Sequence, residues 1–154
     1  MLKSAALSVL ILLICPACAA QPSTEAGQMT EQEARQAFSL AAVNIGKRSF
    51  IVQLADSAQK RAQGLMFQKT ANPGMLLLYK QPDFISLWMR NTTMPLDVAF
   101  IGPDWTILHI EQLQPLDETS ISSNGKVIAA LEMPQGWFAA KQIKPGDKVK
   151  LITN

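Results

Sequence analysis

The chain reads as mainly β, a compact antiparallel jelly-roll-like sandwich or barrel with two or three short helices. Seven or eight apolar runs of strand length carry this prediction, with turn residues set between them at Gly46-Lys47, Asn72-Pro73-Gly74, Gln81-Pro82-Asp83, Gly102-Pro103-Asp104 and Lys144-Pro145-Gly146-Asp147. No internal repeat is visible, so residues 40–154 are expected to form one β-rich domain.

Residues 1–20 stand apart as an export signal. Lys3 supplies a positive start, Ala5 to Ile14 an apolar run, and CPACAA a small-residue exit. That run is shorter than the ~20 residues of a spanning helix, and no later stretch is long and apolar enough to span. Two fates stay open: cleavage after Ala19 or Ala20, giving a soluble exported protein, or acylation of Cys18, giving a lipoprotein. The expected location is periplasmic or extracellular, with contact to a membrane only through a lipid anchor at Cys18. Both cysteines, Cys15 and Cys18, lie in the signal, so thiol catalysis, disulfides and cysteine metal sites are not expected. No cofactor is implied.

The net charge of +2 drops by one when Lys3 leaves, and the only basic pairs are Lys47-Arg48 and Lys60-Arg61. Nucleic acid is not an expected partner. The basic stretch KQIKPGDKVK near the C-terminus reads as a solvated turn and strand.

In order, residues 21–39 form a polar linker in which Thr30 and Glu33 spell a capping box for a short helix. AAVNI and SFIVQLA, joined at Gly46-Lys47, spell a hairpin with one buried face. Asp56 can cap a helical turn through Ser57 to Gln63, which Gly64 stops, and Leu65-Met66-Phe67 docks it. MLLLY is a strand buried on both faces. Phe84 to Met89, Val98 to Ile101 and Thr106 to Leu113 continue a meander. Gln114 to Lys126 is a long loop with few apolar residues. Val127 to Leu131, a short helix within Gln135 to Ile143, and Val149 to Thr153 complete the chain.

The stretches RAQGLMF (61–67), GMLLLY (74–79), WMRNTTMPLDVAFI (88–101), LEMPQG (131–136) and IKPGDKV (143–149) resemble, in this order, the bacterial and archaeal "domain of unknown function, number 192". The resemblance covers roughly 43–151. It implies a jelly-roll-like β domain, commonly exported, and no established activity. Leu87 stands where the family usually has an aromatic residue, and Leu77-Leu78 where it often has Phe and Val.

The candidate site centres on the turn that bunches Arg90, Asn91, Thr92 and Asp97 between apolar runs. Asn and Thr can close a turn on their own backbone, so a structural strut accounts for all four. Alternatively Arg90 and Asp97 offer a fork and an acceptor to a small polar ligand, with Asn91 and Thr92 orienting it. Glu132, flanked by Leu131 and Met133, needs a partner, and Arg90 is the first candidate. Paired with Asp97 it could instead do acid–base work on a glycan. His109 reads as a strand residue, since no nucleophile-elbow pattern accompanies it. Met66, Met75, Met89 and Met94 could hold Cu(I) but more economically fill the core.

Three function classes follow: a binding or accessory module for a small polar ligand with Arg90, Asn91, Thr92, Asp97 and Glu132 as its site; an envelope hydrolase using Asp97 and Glu132; and a structural module that grips another envelope protein through Gln114 to Lys126. The first is the leading expectation.

Overall fold

The computed structural model of the chain describes Gln32 and residues 38–152. The expected export signal, Cys18 as the candidate lipid-anchor residue and, apart from Gln32, the helix expected from Thr30 lie outside the described residues. The elements are β1 (Ser39–Ile45), β2 (Arg48–Ala55), α1 (Ala58–Gln63), β3 (Met75–Asp83), β4 (Ser86–Leu87), β5 (Leu96–Ile101), β6 (Ile107–Leu113), β7 (Ile121–Ser122), β8 (Val127–Pro134), α2 (Trp137–Ala140) and β9 (Val149–Ile152). The fold is mainly β, a seven-stranded sheet curled into a half-barrel.

The strand order is β6-β5-β8-β3-β2-β1-β9, with β4 and β7 forming a separate two-stranded ribbon. This corrects the expected meander in two respects. β8 inserts between β5 and β3, and β2 pairs with β3 in parallel, Leu54 facing Leu76. The reason is apolarity: β5 is buried at every position and β8 at all but two, which suits strands flanked on both sides and covered on both faces.

Alternation along these strands divides the core. Val43, Val52, Leu76, Ala99, Ile101, Leu131 and Phe138 pack inside the curl. Met75, Leu77, Val98, Phe100 and Ala130 pack on the other face, beneath α1 and the β4 segment. Trp137 and Phe138 of α2 meet edge to face, and Trp137 sits edge-on to Phe50 with ring centroids 4.7 Å apart. At one end the outermost strands touch: Thr106 bridges Lys148, and the Lys148 ammonium reaches Asp104 at 2.7 Å.

Local details also depart from expectation. Ser57, not Asp56, caps α1, its hydroxyl accepting from the Lys60 N–H, while Asp56 pairs with Lys60; Gly64 ends the helix at φ 51° as expected. β3 runs on through Asp83, past the turn expected at Gln81, and β4 has only two residues. Gln114 to Lys126 is tied down: β7 pairs with β4, Asp117 C=O accepts from Met89 N–H, and Leu116 N–H donates to Thr92 C=O.

Candidate functional site

β8 carries the most unusual side chain of the fold. Its odd residues, Leu131 and Met133, point into the curl, so Glu132 points to the other face, opposite Met75 on β3 and Val98 on β5. The position is central in the sheet, between two apolar cross-strand neighbours. Glu132 is 6% exposed, and no hydrogen bond reaches its buried Oε2. Burial alone pushes its carboxyl up to about 7, because the charged form loses its hydration with no partner in exchange.

A wall rises around it. After Gly64 the chain crosses the sheet face, held where the Gln53 and Gln68 side-chain amides exchange two hydrogen bonds of 2.9 and 3.0 Å. Phe67 N–H then donates to Asn91 C=O at 3.0 Å, fastening this crossing to the turn after Met89. Both residues sit at positive φ, 64° and 54°, a conformation that asparagine tolerates better than phenylalanine. Between crossing, turn and sheet lies an open cavity of about 200 Å³. Leu65, Leu77, Leu87, Met89 and Leu96 are among its apolar lining; Arg61 and Glu132 are its charged groups, with Gln63, Tyr79, Ser86 and Thr92 as neutral polar ones.

Arg61 reaches from α1 with one N–H on Leu78 C=O at 2.8 Å and its guanidinium 4.5 Å from the centre of the Tyr79 ring. Burial raises the Tyr79 phenol, with Arg61 pulling it down and Glu132 pushing it up. Tyr79 thus feels both the cation and the carboxyl, with opposite effects on its phenol.

The structure sorts the five expected residues. Thr92 and Glu132 line the cavity. Asn91 is exposed and works through its backbone, as above. Arg90 is exposed too, its guanidinium 5.9 Å from the Trp88 ring, so it is not the partner of Glu132. Asp97 lies across the sheet: it pairs with Met133 while Glu132 pairs with Val98, so the two carboxyls emerge on opposite faces. One glycosidic bond cannot lie between them. Asp97 Oδ2 accepts from the Gly136 N–H at 2.8 Å, holding the left-handed residue that leads into α2. The expected result is that Asp97→Ala costs about 2 kcal/mol in urea unfolding, the loss of a charge-assisted bond. Arg90→Met should be neutral within about 0.5 kcal/mol.

The other candidates settle into the scaffold. His109 stacks on Phe100, ring centroids 4.6 Å apart. Met75 is buried in the core, Met94 packs against it, and Met66 and Met89 join the cavity wall. Among the described residues no three His, Cys, Asp or Glu side chains gather as metal ligands would. Sequence reasoning missed Arg61 and Tyr79 as site residues, although both lie in RAQGLMF and GMLLLY, two of the stretches that carried the family resemblance.

The chain is 29% identical to a transcription-regulator candidate from Sinorhizobium meliloti of known structure, with a TM-score of 0.70 over 81% of this chain and 98% of that one. It is 36% identical to a protein of unknown function from Novosphingobium aromaticivorans, with a TM-score of 0.65 over 73% of this chain and 84% of that one. No functionally curated protein matches it. The family model for DUF192, described as an uncharacterized ACR, matches residues 41–151, all of the β domain but a few residues at its ends. A buried carboxyl under a wall built from the family's own stretches therefore belongs to a DUF192 protein, and this chain is a member of that family.

Proposed function

We propose that the protein is an exported binding or accessory module that holds a small polar ligand in the cavity above Glu132. The single observation that carries this reading is the buried, unpartnered Glu132 oxygen at an open cavity. Stranding such a group costs roughly 1–3 kcal/mol or more, a cost that folding alone does not reward and an occupant can offset. The cavity, about 200 Å³, is smaller than the roughly 300–1,000 Å³ of drug-sized sites, which favours a molecule of metabolite size over a polymer. The hydrolase alternative loses its premise once Asp97 and Glu132 face apart.

A DNA-reading role, which the description of the Sinorhizobium protein would suggest, has little support in this chain. The longest described helix spans six residues, and the net charge is only +2. Export rests on the composition of residues 1–20 and would be read from the N-terminus of protein recovered from cells.

Fragment screening by NMR on the purified protein tests the binding reading. The expected result is a set of polar fragments that shift the amides of Leu87, Met89, Thr92 and Glu132 saturably. A library that leaves those amides untouched would sink it.

A further inference from the structure

The cavity holds two opposite charges that do not meet. Burial is the sole cause acting on the Glu132 carboxyl, and Arg61 gives it no relief. Yet both groups line the same cavity, and both act on the Tyr79 phenol that lines it with them. Arg61 commits one N–H to Leu78 C=O, and a guanidinium fork has further donors to give. Apolar surface from Leu77, Leu87 and Leu96 completes the enclosure.

Resting on the pocket reading above, we infer that the ligand is a small zwitterion, an amino acid or related amino-carboxylate with a short aliphatic side chain. Its ammonium sits on Glu132, its carboxylate on the remaining donors of Arg61, and its aliphatic part against the leucines. A simple amine would leave the guanidinium unanswered and bring a second cation into the cavity. A simple carboxylate would leave Glu132 unpartnered and add a like charge. Only a molecule bearing both groups satisfies both walls, and the low-dielectric floor makes each mismatch expensive.

A matched trio tests this by calorimetric titration at pH 8: norvaline, n-butylamine (norvaline without its carboxylate) and pentanoate (norvaline without its amine). The expected result is norvaline binding at least tenfold more tightly than either. With Glu132→Gln its affinity should fall at least tenfold, and Arg61→Met, checked by thermal melting for an intact fold, should do the same. Butylamine or pentanoate binding as tightly as norvaline would overturn the zwitterion while leaving the pocket reading in place. So would silence from all three when polar fragments still bind at Thr92 and Glu132. Silence from the trio and the fragments together would overturn both.

Discussion

Glu132→Gln is expected to raise the stability of the protein at pH 8 and to leave it almost unchanged near pH 4.5. The carboxyl's affinity for protons rises on folding, from the ordinary 4.5 to about 7. Below 4.5 it is protonated whether the chain is folded or not, so burial of its charge costs nothing there. As pH climbs from 4.5 to about 7 the unfolded chain releases the proton freely while the folded one resists, and stability falls; above 7 the full penalty applies. At about 1.4 kcal/mol per pH unit, the penalty is about 3 kcal/mol. A neutral amide of the same shape escapes it, so the variant should melt on the order of 10 °C higher at pH 8. The same variant should lose ligand binding, the trade expected of a group kept for function. Melting curves at the two pH values check this, and a Gln variant less stable than the parent at pH 8 would show that Glu132 has a partner when folded.

Gly74→Ala is expected to cost about 3 kcal/mol and to disturb the site, although Gly74 touches no ligand. Its carbonyl accepts from Gln53 N–H at 2.7 Å where β2 meets β3. A Cβ at this position would run into Met133 Sδ and the backbone oxygen of Glu132. A side chain can swing away, but the backbone of a central strand paired on both sides cannot. Overpacking of this kind costs about 1–3 kcal/mol, and here the displaced strand is the one that aims Glu132. Urea unfolding measures the loss, and a drop in norvaline affinity with the fold intact reads the misplacement. A neutral result in both would mean that β8 is freer than its pairing implies.

Much of the fold is legible in the sequence because strands and turns are local. The hairpin at Gly46, the stop at Gly64 and the buried run at MLLLY follow from side-chain period and turn chemistry. Strand order is not local. Alternation fixes which face a residue takes and says nothing of which strand lies beside it, so the parallel β2–β3 pair and the insertion of β8 had no signature.

The site divides along the same line. Glu132 stands out because Leu131 and Met133 flank it, and burial is what those neighbours predict. Its relation to Asp97 depended on register, and one residue of register is the difference between one face and the other. Arg61 and Tyr79 gave no signal because an arginine on an exposed-looking helix and a tyrosine ending an apolar strand are ordinary. Gln53 on the hairpin strand β2 is buried, and Gln68 from a distant loop satisfies its side-chain amide.

The bridge between Thr106 and Lys148 joins the two outermost strands of the sheet at one end. An open sheet offers two ladders of unsatisfied amides and carbonyls, each a template on which a foreign chain can add a strand. Here part of each ladder is spent on the other: Ile107 N–H donates to Asp147 C=O, and Val149 N–H to Trp105 C=O. The lysine at the junction adds a hydrated charge that an incoming strand would have to displace. A chain without a disulfide in its β domain thereby guards against amyloid-like stacking by topology, at the end of the sheet where its margins come closest.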